Sequence, residues 1–392
     1  MSAHTPRYRL ADRVVHKNES IRTHMLSLAA GLQGVIALGR GDPDLPTPAH
    51  IIKAGQEALE AGATHYTPPQ GLPELRKAIC AKLHRENELA YTPEEVIVTT
   101  GAQEGIYVAL LALLNPGDEV LVTSPGYTSY HQAVELAGGV AVPVPIYQKD
   151  NFALTAEAVR AKITPRTRIL CLINPSNPTG SVTPRTELEK LAQLAIEHDL
   201  MVISDEIYER IVFDGHMVTS FASLPGMKER TITLNGFSKA YAMTGWRVGY
   251  MAAPRELIAV MSEIHHGLTI CAPAMSQHAA LAALAGPQQC VEEHRQVFSE
   301  RRAFFRRFLD KLGLTYGEPQ GAFYLYTNVS ALGMRASEFC LWLLQEARVM
   351  VFPGTLFGDH NDDFVRISLL QPMPKLHEAA DRMTQAIAKL AG

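Results

Sequence analysis

Cysteine is scarce in this chain and tryptophan scarcer still. Five cysteines (Cys80, Cys171, Cys271, Cys290 and Cys340) are scattered over 392 residues without a C-x-x-C pair, and there are only two tryptophans. That spacing argues against a zinc framework or a disulfide scaffold and suits a reducing compartment. No excess of basic charge is present, since 36 Lys and Arg face 40 Asp and Glu for a formal charge of −4. Proteins built around nucleic acid usually need a basic surface, so no such partner is expected. Long apolar runs are missing too. The longest, residues 108–114, is far short of the ~20 needed to span a bilayer. The polar start MSAHTPRYRLADRVVHKNES lacks the apolar stretch of a secretory signal. Repeats, low-complexity tracts and charge blocks are absent, as are a P-loop, HExxH and G-x-S-x-G. The expectation is a soluble cytoplasmic protein with no membrane partner and no metal.

What the chain does have is rhythm. Its length gives a prior of two to three domains at ~150 residues each. Val- and Ile-rich runs at 95–100, 119–123, 140–145, 168–173, 201–204, 231–235 and 248–252 read as strands buried on both faces. Helical patterns such as 103–114, 130–137 and 187–197 lie between them. Such alternation predicts an α/β fold, with a mostly parallel seven-stranded sheet flanked by helices. Near Gly286–Pro287 the rhythm changes. A long helix at 291–312 follows, its arginines (Arg295, Arg301, Arg302, Arg306, Arg307) reading as a solvated face. Strand-like runs at 321–326 and 363–369 and a final helix from Lys375 complete a smaller α+β domain. The expected division is 1–40 as a segment packing on the small domain or a partner subunit, 41–286 as the large domain, and 287–392 as the small one.

Four stretches place polar residues just beyond a predicted strand, the edge where open α/β sheets bind ligands. In Ile173-Asn-Pro-Ser-Asn-Pro-Thr-Gly180, prolines and glycine fix a turn that holds Asn177 outside the strand. Val202-Ile-Ser-Asp-Glu-Ile-Tyr208 presents Asp205 and Tyr208. Leu234-Asn-Gly-Phe-Ser-Lys-Ala-Tyr-Ala-Met-Thr-Gly-Trp-Arg-Val-Gly-Tyr250 presents Ser238, Lys239 and Arg247. Thr99-Thr-Gly-Ala-Gln-Glu-Gly105 enters a helix whose free N–H groups suit an anion. A carboxylate, a phenol, a carboxamide, a lysine and an anion site together match the needs of pyridoxal phosphate. The aldehyde needs an amine, the ring nitrogen a buried carboxylate, the phenolate oxygen neutral donors, and the phosphate amides, hydroxyls and a guanidinium.

These motifs, in this order, resemble the aspartate aminotransferase superfamily, the class I/II aminotransferases of pyridoxal phosphate fold type I. The resemblance runs from Gly39-Arg-Gly-Asp-Pro-Asp-Leu-Pro-Thr-Pro48 to Phe364-Val-Arg-Ile-Ser368. It implies Lys239 as the lysine that condenses with the cofactor and Asp205 as the partner of its ring nitrogen. Asn177 and Tyr208 become donors to the phenolate oxygen, with Lys239, Asp205 and Tyr208 carrying catalysis. Gly101, Ala102, Gln103, Ser238 and Arg247 form the phosphate side, and Tyr127 stacks on the ring. Tyr66, in His-Tyr-Thr-Pro-Pro-Gln-Gly-Leu, is similar to a tyrosine that reaches the phosphate of the neighbouring subunit, which implies a homodimer. Arg366 with Gly41 and Asn177 binds the substrate carboxylate. Two departures stand out. Gly236 replaces a hydroxyl residue that many relatives carry three positions before the lysine, and Gln103 replaces a lysine of some dicarboxylate-specific relatives.

Plainer readings stand beside these. Alone, Lys239 reads as a surface charge and Asp205 as a cap; Asn177 can serve its turn, Tyr127 the core, and Arg366 an ion pair. His265, His266 and His294 read as surface or capping residues. Arg40 and Arg22 either bind a distal substrate carboxylate or meet solvent and acids such as Asp42 and Glu19. The implied activity is transfer of an amino group between an L-amino acid and a 2-oxo acid, 2-oxoglutarate being one acceptor. A carbon–sulfur β-lyase or a decarboxylase shares the cofactor shell and is the alternative. A non-enzymatic ligand-sensing domain would need a basic DNA-binding domain ahead of it, and the polar first forty residues do not read as one.

Overall fold

The computed structural model describes residue 11 and residues 21–390. Glu19 and, apart from residue 11, the first twenty residues of the expected N-terminal segment lie outside the described residues. Among the described residues there are twelve strands: β1 (Ile36–Ala37), β2 (Val96–Thr99), β3 (Glu119–Ser124), β4 (Val140–Pro145), β5 (Thr167–Ile173), β6 (Met201–Asp205), β7 (Thr231–Gly236), β8 (Gly249–Ala252), β9 (Tyr324–Asn328), β10 (Val349–Met350), β11 (Phe352–Pro353) and β12 (Phe364–Ser368).

Seven of them build one sheet in the order β2-β8-β7-β6-β5-β3-β4. Alternate residues of its strands enter opposite cores. In β5, Leu170 and Leu172 face one core while Ile169, Cys171 and Ile173 face the other. With both faces buried, period-two alternation becomes a continuous apolar run, which is why these strands are visible in the sequence. All seven expected strands are present, with no end shifted by more than one residue. The inner strands β3, β5, β6 and β7 pair in parallel, with β4 parallel to β3, whereas β8 runs antiparallel to β7 and β2. The reason lies in the connection. Residues 237–248 hold one 3-10 turn, Thr244–Trp246, and no α-helix, so nothing carries the chain back across the sheet.

The helices expected at 103–114, 130–137 and 187–197 are Ala102–Leu113, Thr128–Leu136 and Arg185–Glu197. Beyond them the long helix is Gln289–Lys311, and β11-β12-β9 form an antiparallel sheet closed by the helix Met373–Ala388. The strand expected from residue 321 begins at Tyr324. At Gly321 the chain passes so close to Pro175 that a Cβ would lie 2.7 Å from its ring. β1 pairs in parallel with β10 (Ile36↔Val349), and Met25 of the helix Ile21–Ala30 enters the same core as Phe339, Leu343 and Leu376.

The arginines of the long helix correct the solvated-face expectation. Arg301 and Arg302 are buried. Arg301 grips Asp44 with both terminal nitrogens (2.6 and 2.8 Å) and donates to Leu369 O at 3.1 Å. Arg302 donates to Asp214 at 2.5 Å and to Pro319 O at 2.8 Å, and lies over the Phe213 ring. Helical spacing alone does not tell a solvated charge from one paired beneath a neighbouring layer. Among the described residues no helix is long and apolar enough to cross a membrane, and no cluster of His, Cys, Asp or Glu could hold a metal ion.

Candidate active site

The carboxyl ends of β2, β5, β6 and β7 open onto one edge, and the antiparallel β8 starts there. Asp205 is the last residue of β6; Asn177 follows β5, and Lys239 follows β7. Three cis peptide bonds border the site, at Ser124–Pro125, Asn174–Pro175 and Asn177–Pro178.

Asp205 is buried. Its Oδ1 accepts from the amide of Ile207 and its Oδ2 from the Tyr130 hydroxyl, both at 3.2 Å. Burial pushes its carboxyl up to about 6, against the partial relief of those two donors. Among the described residues no cation is ion-paired with it. Lys239 is half-buried and donates to Gly41 O at 2.6 Å. Burial lowers the amine to about 8; the charges of Arg366 and Arg247 add to the fall, and Asp42 and Asp205 oppose it. Both groups therefore sit in a range where proton exchange near neutrality is easy.

Arg366, on β12, is buried with no acid partner among the described residues. Its Nη1 donates to Asn177 Oδ1 at 2.9 Å and its Nη2 to Gly39 O at 2.6 Å, while Nε finds no partner. The guanidinium lies between the rings of Tyr324 (4.5 Å) and Phe357 (4.6 Å). Burial lowers its pKa, and the nearby charge of Arg22 works in the same direction. A desolvated cation without a counter-charge is costly, and an anionic ligand resolves that cost. The Asn177 carboxamide is buried, and the Tyr208 hydroxyl sits 3.1 Å from that of Tyr324.

A second candidate anion site is the start of the helix Ala102–Leu113. Gly101 caps it with φ +83°, and a Cβ there would lie 2.7 Å from Arg247 Nη2, so only glycine fits. No side chain caps the helix, and while the Glu104 amide donates to Gly101 O at 3.1 Å, the amides of Ala102 and Gln103 ahead of it have no intrahelical acceptor. Arg247 donates only to carbonyls (Thr244 O at 2.9 Å, Thr100 O at 3.4 Å), and the Ser238 hydroxyl has no partner among the described residues. Tyr127 donates to Gln103 Oε1 at 3.1 Å, joining the ring-side tyrosine to this corner.

Gly236 faces Gly249 across the β7–β8 register. A Cβ on it would lie 3.0 Å from Gly249 Cα, a close strand approach that leaves little room for a hydroxyl residue. Arg40 and Arg22 are exposed, and neither is ion-paired among the described residues. Tyr66 is 79% exposed and makes no hydrogen bond to the other site residues. His266 is exposed and His294 Nδ1 donates to Ala240 O at 3.0 Å, but His265 departs from the surface reading. It is buried with Nδ1 2.8 Å from Glu104 Oε1, because that carboxylate, itself held by the Thr100 amide, needs partners beneath the anion corner. Tyr130, Tyr324, Phe357 and Glu104 were missed by the sequence reading. Each lies at ordinary helical or strand spacing, where an apolar or capping role is the simpler inference.

This edge of an α/β sheet joins a lowered lysine, a buried carboxylate and two guanidiniums with no acid partner among the described residues, the donor set of an enzyme that holds anionic ligands beside a reactive amine. Residues 33–383 match the family "Aminotransferase class I and II", and the chain belongs to it. It is 41% identical to an aromatic-amino-acid aminotransferase 2 of Thermococcus litoralis, over 96% of this chain and 98% of that protein. It is 42% identical to an aspartate aminotransferase of Pyrococcus abyssi, with the same coverage. The solved aspartate aminotransferase of Thermus thermophilus with maleate superposes with a TM-score of 0.91 at 40% identity, covering 97% of this chain and all of that one. The protein is a transaminase, moving an amino group between an amino acid and a 2-oxo acid. The family implies pyridoxal phosphate, and the donor set fits it: an unpaired buried acid for a ring cation, a glycine-cleared helix start with a free guanidinium for a phosphate, and an amine between them.

Proposed function

We propose that Lys239 carries pyridoxal phosphate, with Asp205 at its ring nitrogen and Asn177 and Tyr208 as donors to its phenolate oxygen. Gly101, Ala102, Gln103, Ser238 and Arg247 hold its phosphate side, and Tyr127 lies on its ring. When bound, the cofactor supplies the electron sink for the pair released from the substrate's Cα. The protein's own groups do the rest. Arg366 and Asn177, with the small Gly41 beside them, hold the substrate carboxylate and fix the Cα–H toward Lys239. Lys239 Nζ, free once the substrate amine takes its place on the cofactor, removes that proton and would pass it to the aldehyde-derived carbon it had been bonded to, which leaves the amino group with the cofactor; Gly41 O orients the amine. Asp205 holds a positive charge in the ring by keeping its own negative one buried. The observation that carries this reading is Arg366, a buried guanidinium whose only charge partner must come from outside the described residues.

Tyr66, exposed on a single chain, reaches the phosphate of a second copy, so the working unit is a homodimer with shared sites. Five free cysteines support a cytoplasmic setting. The acceptor is a dicarboxylic 2-oxo acid such as 2-oxoglutarate, its distal carboxylate met by Arg40 and Arg22. The support is that neither is ion-paired among the described residues, and the electrostatic reach of Arg22 to Arg366. Borohydride reduction of the loaded protein followed by peptide mapping should place the pyridoxyl group on Lys239; a label on another lysine overturns the assignment. Arg40→Ala and Arg22→Ala should each lower kcat/KM for dicarboxylic substrates about tenfold, with leucine little affected. Equal losses on both substrate classes overturn the specificity reading. Mixing Tyr66→Phe with Arg366→Ala subunits should give hybrid activity distinct from either parent, and an active monomer overturns the shared site.

A further inference from the structure

Tyr324 belongs to none of the groups assigned so far, yet three of them converge on it. It leaves the small sheet on β9 and is fully buried. Its hydroxyl lies 3.1 Å from that of Tyr208, and a Cβ on Gly41 would fall 2.6 Å from the same oxygen. Gly41 in turn accepts the Lys239 amine through its carbonyl. The face of the Tyr324 ring carries the Arg366 guanidinium at 4.5 Å.

We propose that Tyr324 is a positioning residue that orients the Tyr208 hydroxyl toward the cofactor while its ring seats the Arg366 clamp. The inference rests on the pyridoxal phosphate reading above. The direction of the hydrogen bond follows from counting protons. Tyr208 has one O–H, and if it points at a ring oxygen it cannot also donate to Tyr324. Tyr324 must then donate to Tyr208, which polarises the second hydroxyl and makes it the stronger donor. Burial keeps the Tyr324 phenol protonated, so it remains able to donate. Glycine at 41 leaves space for that hydroxyl, and any larger residue would displace it. One side chain thus joins the small sheet to the turn after β6, and its two ends do different work.

Tyr324→Phe separates those ends, since the ring stays and the hydroxyl goes. Asp42, Asp205, Arg247 and Arg366, the charges that act on Lys239, are untouched by it. The first readout is the pH midpoint of the visible absorption band of the protein loaded with pyridoxal phosphate. A donor at the ring oxygen stabilises the unprotonated, anionic form of the bound group. A weakened donor should therefore raise the midpoint, by about half a pH unit or more. The second readout is maleate affinity, which should change less than about twofold because the ring under Arg366 remains, while kcat falls about tenfold. Tyr324→Leu, which removes the ring as well, should weaken maleate about tenfold or more. An unmoved midpoint in Tyr324→Phe overturns the proposal, as does a loss of maleate affinity matching the loss of kcat. If the unaltered protein forms no visible band with pyridoxal phosphate, the cofactor reading fails instead, so the two failures are told apart.

Discussion

The amine of Lys239 donates to the carbonyl oxygen of Gly41 at 2.6 Å, joining residues 198 apart in sequence. The lysine stands on the loop after β7, but its nitrogen is held by the strap that leads from β1 into the large sheet. That strap also supplies Gly39, whose carbonyl accepts from Arg366 at 2.6 Å. Two carbonyls two residues apart therefore orient the base and the carboxylate clamp together, and glycine at both positions has a steric cause. A Cβ on Gly39 would lie 2.8 Å from the Phe352 ring, and one on Gly41 2.6 Å from the Tyr324 hydroxyl.

The lowered amine predicts unusual reactivity in the cofactor-free protein. A lysine with its pKa at about 8 is largely neutral at pH 9, where surface lysines remain ammonium. Competitive labelling with acetic anhydride, read by mass spectrometry, should give a Lys239 rate that levels off just above pH 8. The other lysines should go on accelerating past pH 10. An inflection for Lys239 above pH 10 would mean that burial does not govern the amine.

Much of this was legible in the sequence, for identifiable reasons. Strands such as β5 and β6 are buried on both faces, so residues like Leu170 and Val202 write an apolar run that needs no partner to be read. Lys239, Asp205 and Asn177 lie in local motifs beside their strands, and the structure brings all three to one edge. Direction and burial of single charges were not legible. The antiparallel sense of β8 depends on what fills residues 237–248, not on its own residues. Arg301 and His265 look like solvated helix residues until Asp44 and Glu104 arrive from 257 and 161 positions away. Tyr324 was hidden for the same reason, since its partners Tyr208 and Gly41 belong to other elements.

Asp205 should show opposite effects on stability and on turnover. Its folded-state pKa is raised from 3.8 to about 6, so its contribution to stability is full below pH 3.8 and is lost as pH rises through 6. Asn at this position keeps one acceptor, for the Ile207 amide, while its Nδ2 can donate to the Tyr130 hydroxyl oxygen, and it carries no charge. Cofactor-free Asp205→Asn should therefore be more stable than the unaltered protein at pH 8, by about 2 kcal/mol, with the difference closing near pH 4. Urea midpoints at the two pH values measure this. Amino-group transfer should nonetheless fall by orders of magnitude. A variant that is less stable at pH 8 than at pH 4, relative to the parent, contradicts the sign.

At the helix start, Gly101→Ala should cost ligand affinity and stability together. The backbone sits at φ +83°, and the new methyl would press on Arg247 Nη2 at 2.7 Å. Gly117→Ala is the control, since its φ of +89° imposes similar strain with no atom within 4 Å. Both should lose about 1 kcal/mol of stability from the left-handed backbone alone. Only Gly101→Ala should weaken pyridoxal phosphate binding, by about tenfold or more, as titrated by fluorescence of the cofactor-free protein. Equal affinity in the two variants would remove Gly101 from the anion corner.

Beneath the site, of the two acids next to Asp205 and Tyr208, only Glu209 is bonded by a lysine. Glu206 is fully buried, accepting from Ser204 Oγ at 2.8 Å, Ser220 Oγ at 2.6 Å and the Phe221 amide at 3.2 Å. Burial and the neighbouring Glu209 push its carboxyl upward. Glu209 is bonded by Lys82, by Asn87 Nδ2 at 2.6 Å and by Asn235 Nδ2 at 2.7 Å. Lys82 is itself buried, and Glu86 lies 3.6 Å from its amine. Lys82→Met would leave Glu209 desolvated without its cation, which typically costs about 3–5 kcal/mol. The sign with pH follows from Glu86: against its burial, the charges of Lys82 and Arg210 hold that carboxyl below its ordinary range. The share due to Lys82 is present at pH 8 and lost as pH falls through the carboxylate range, so the deficit of Lys82→Met measured by urea unfolding should be larger at pH 8 than at pH 3. Lys82→Arg should recover most of the stability, because a guanidinium can still bond Glu209 and Glu86. A pH-independent deficit in Lys82→Met would show that lost packing of the lysine stem, and not the stranded carboxylate, sets the cost.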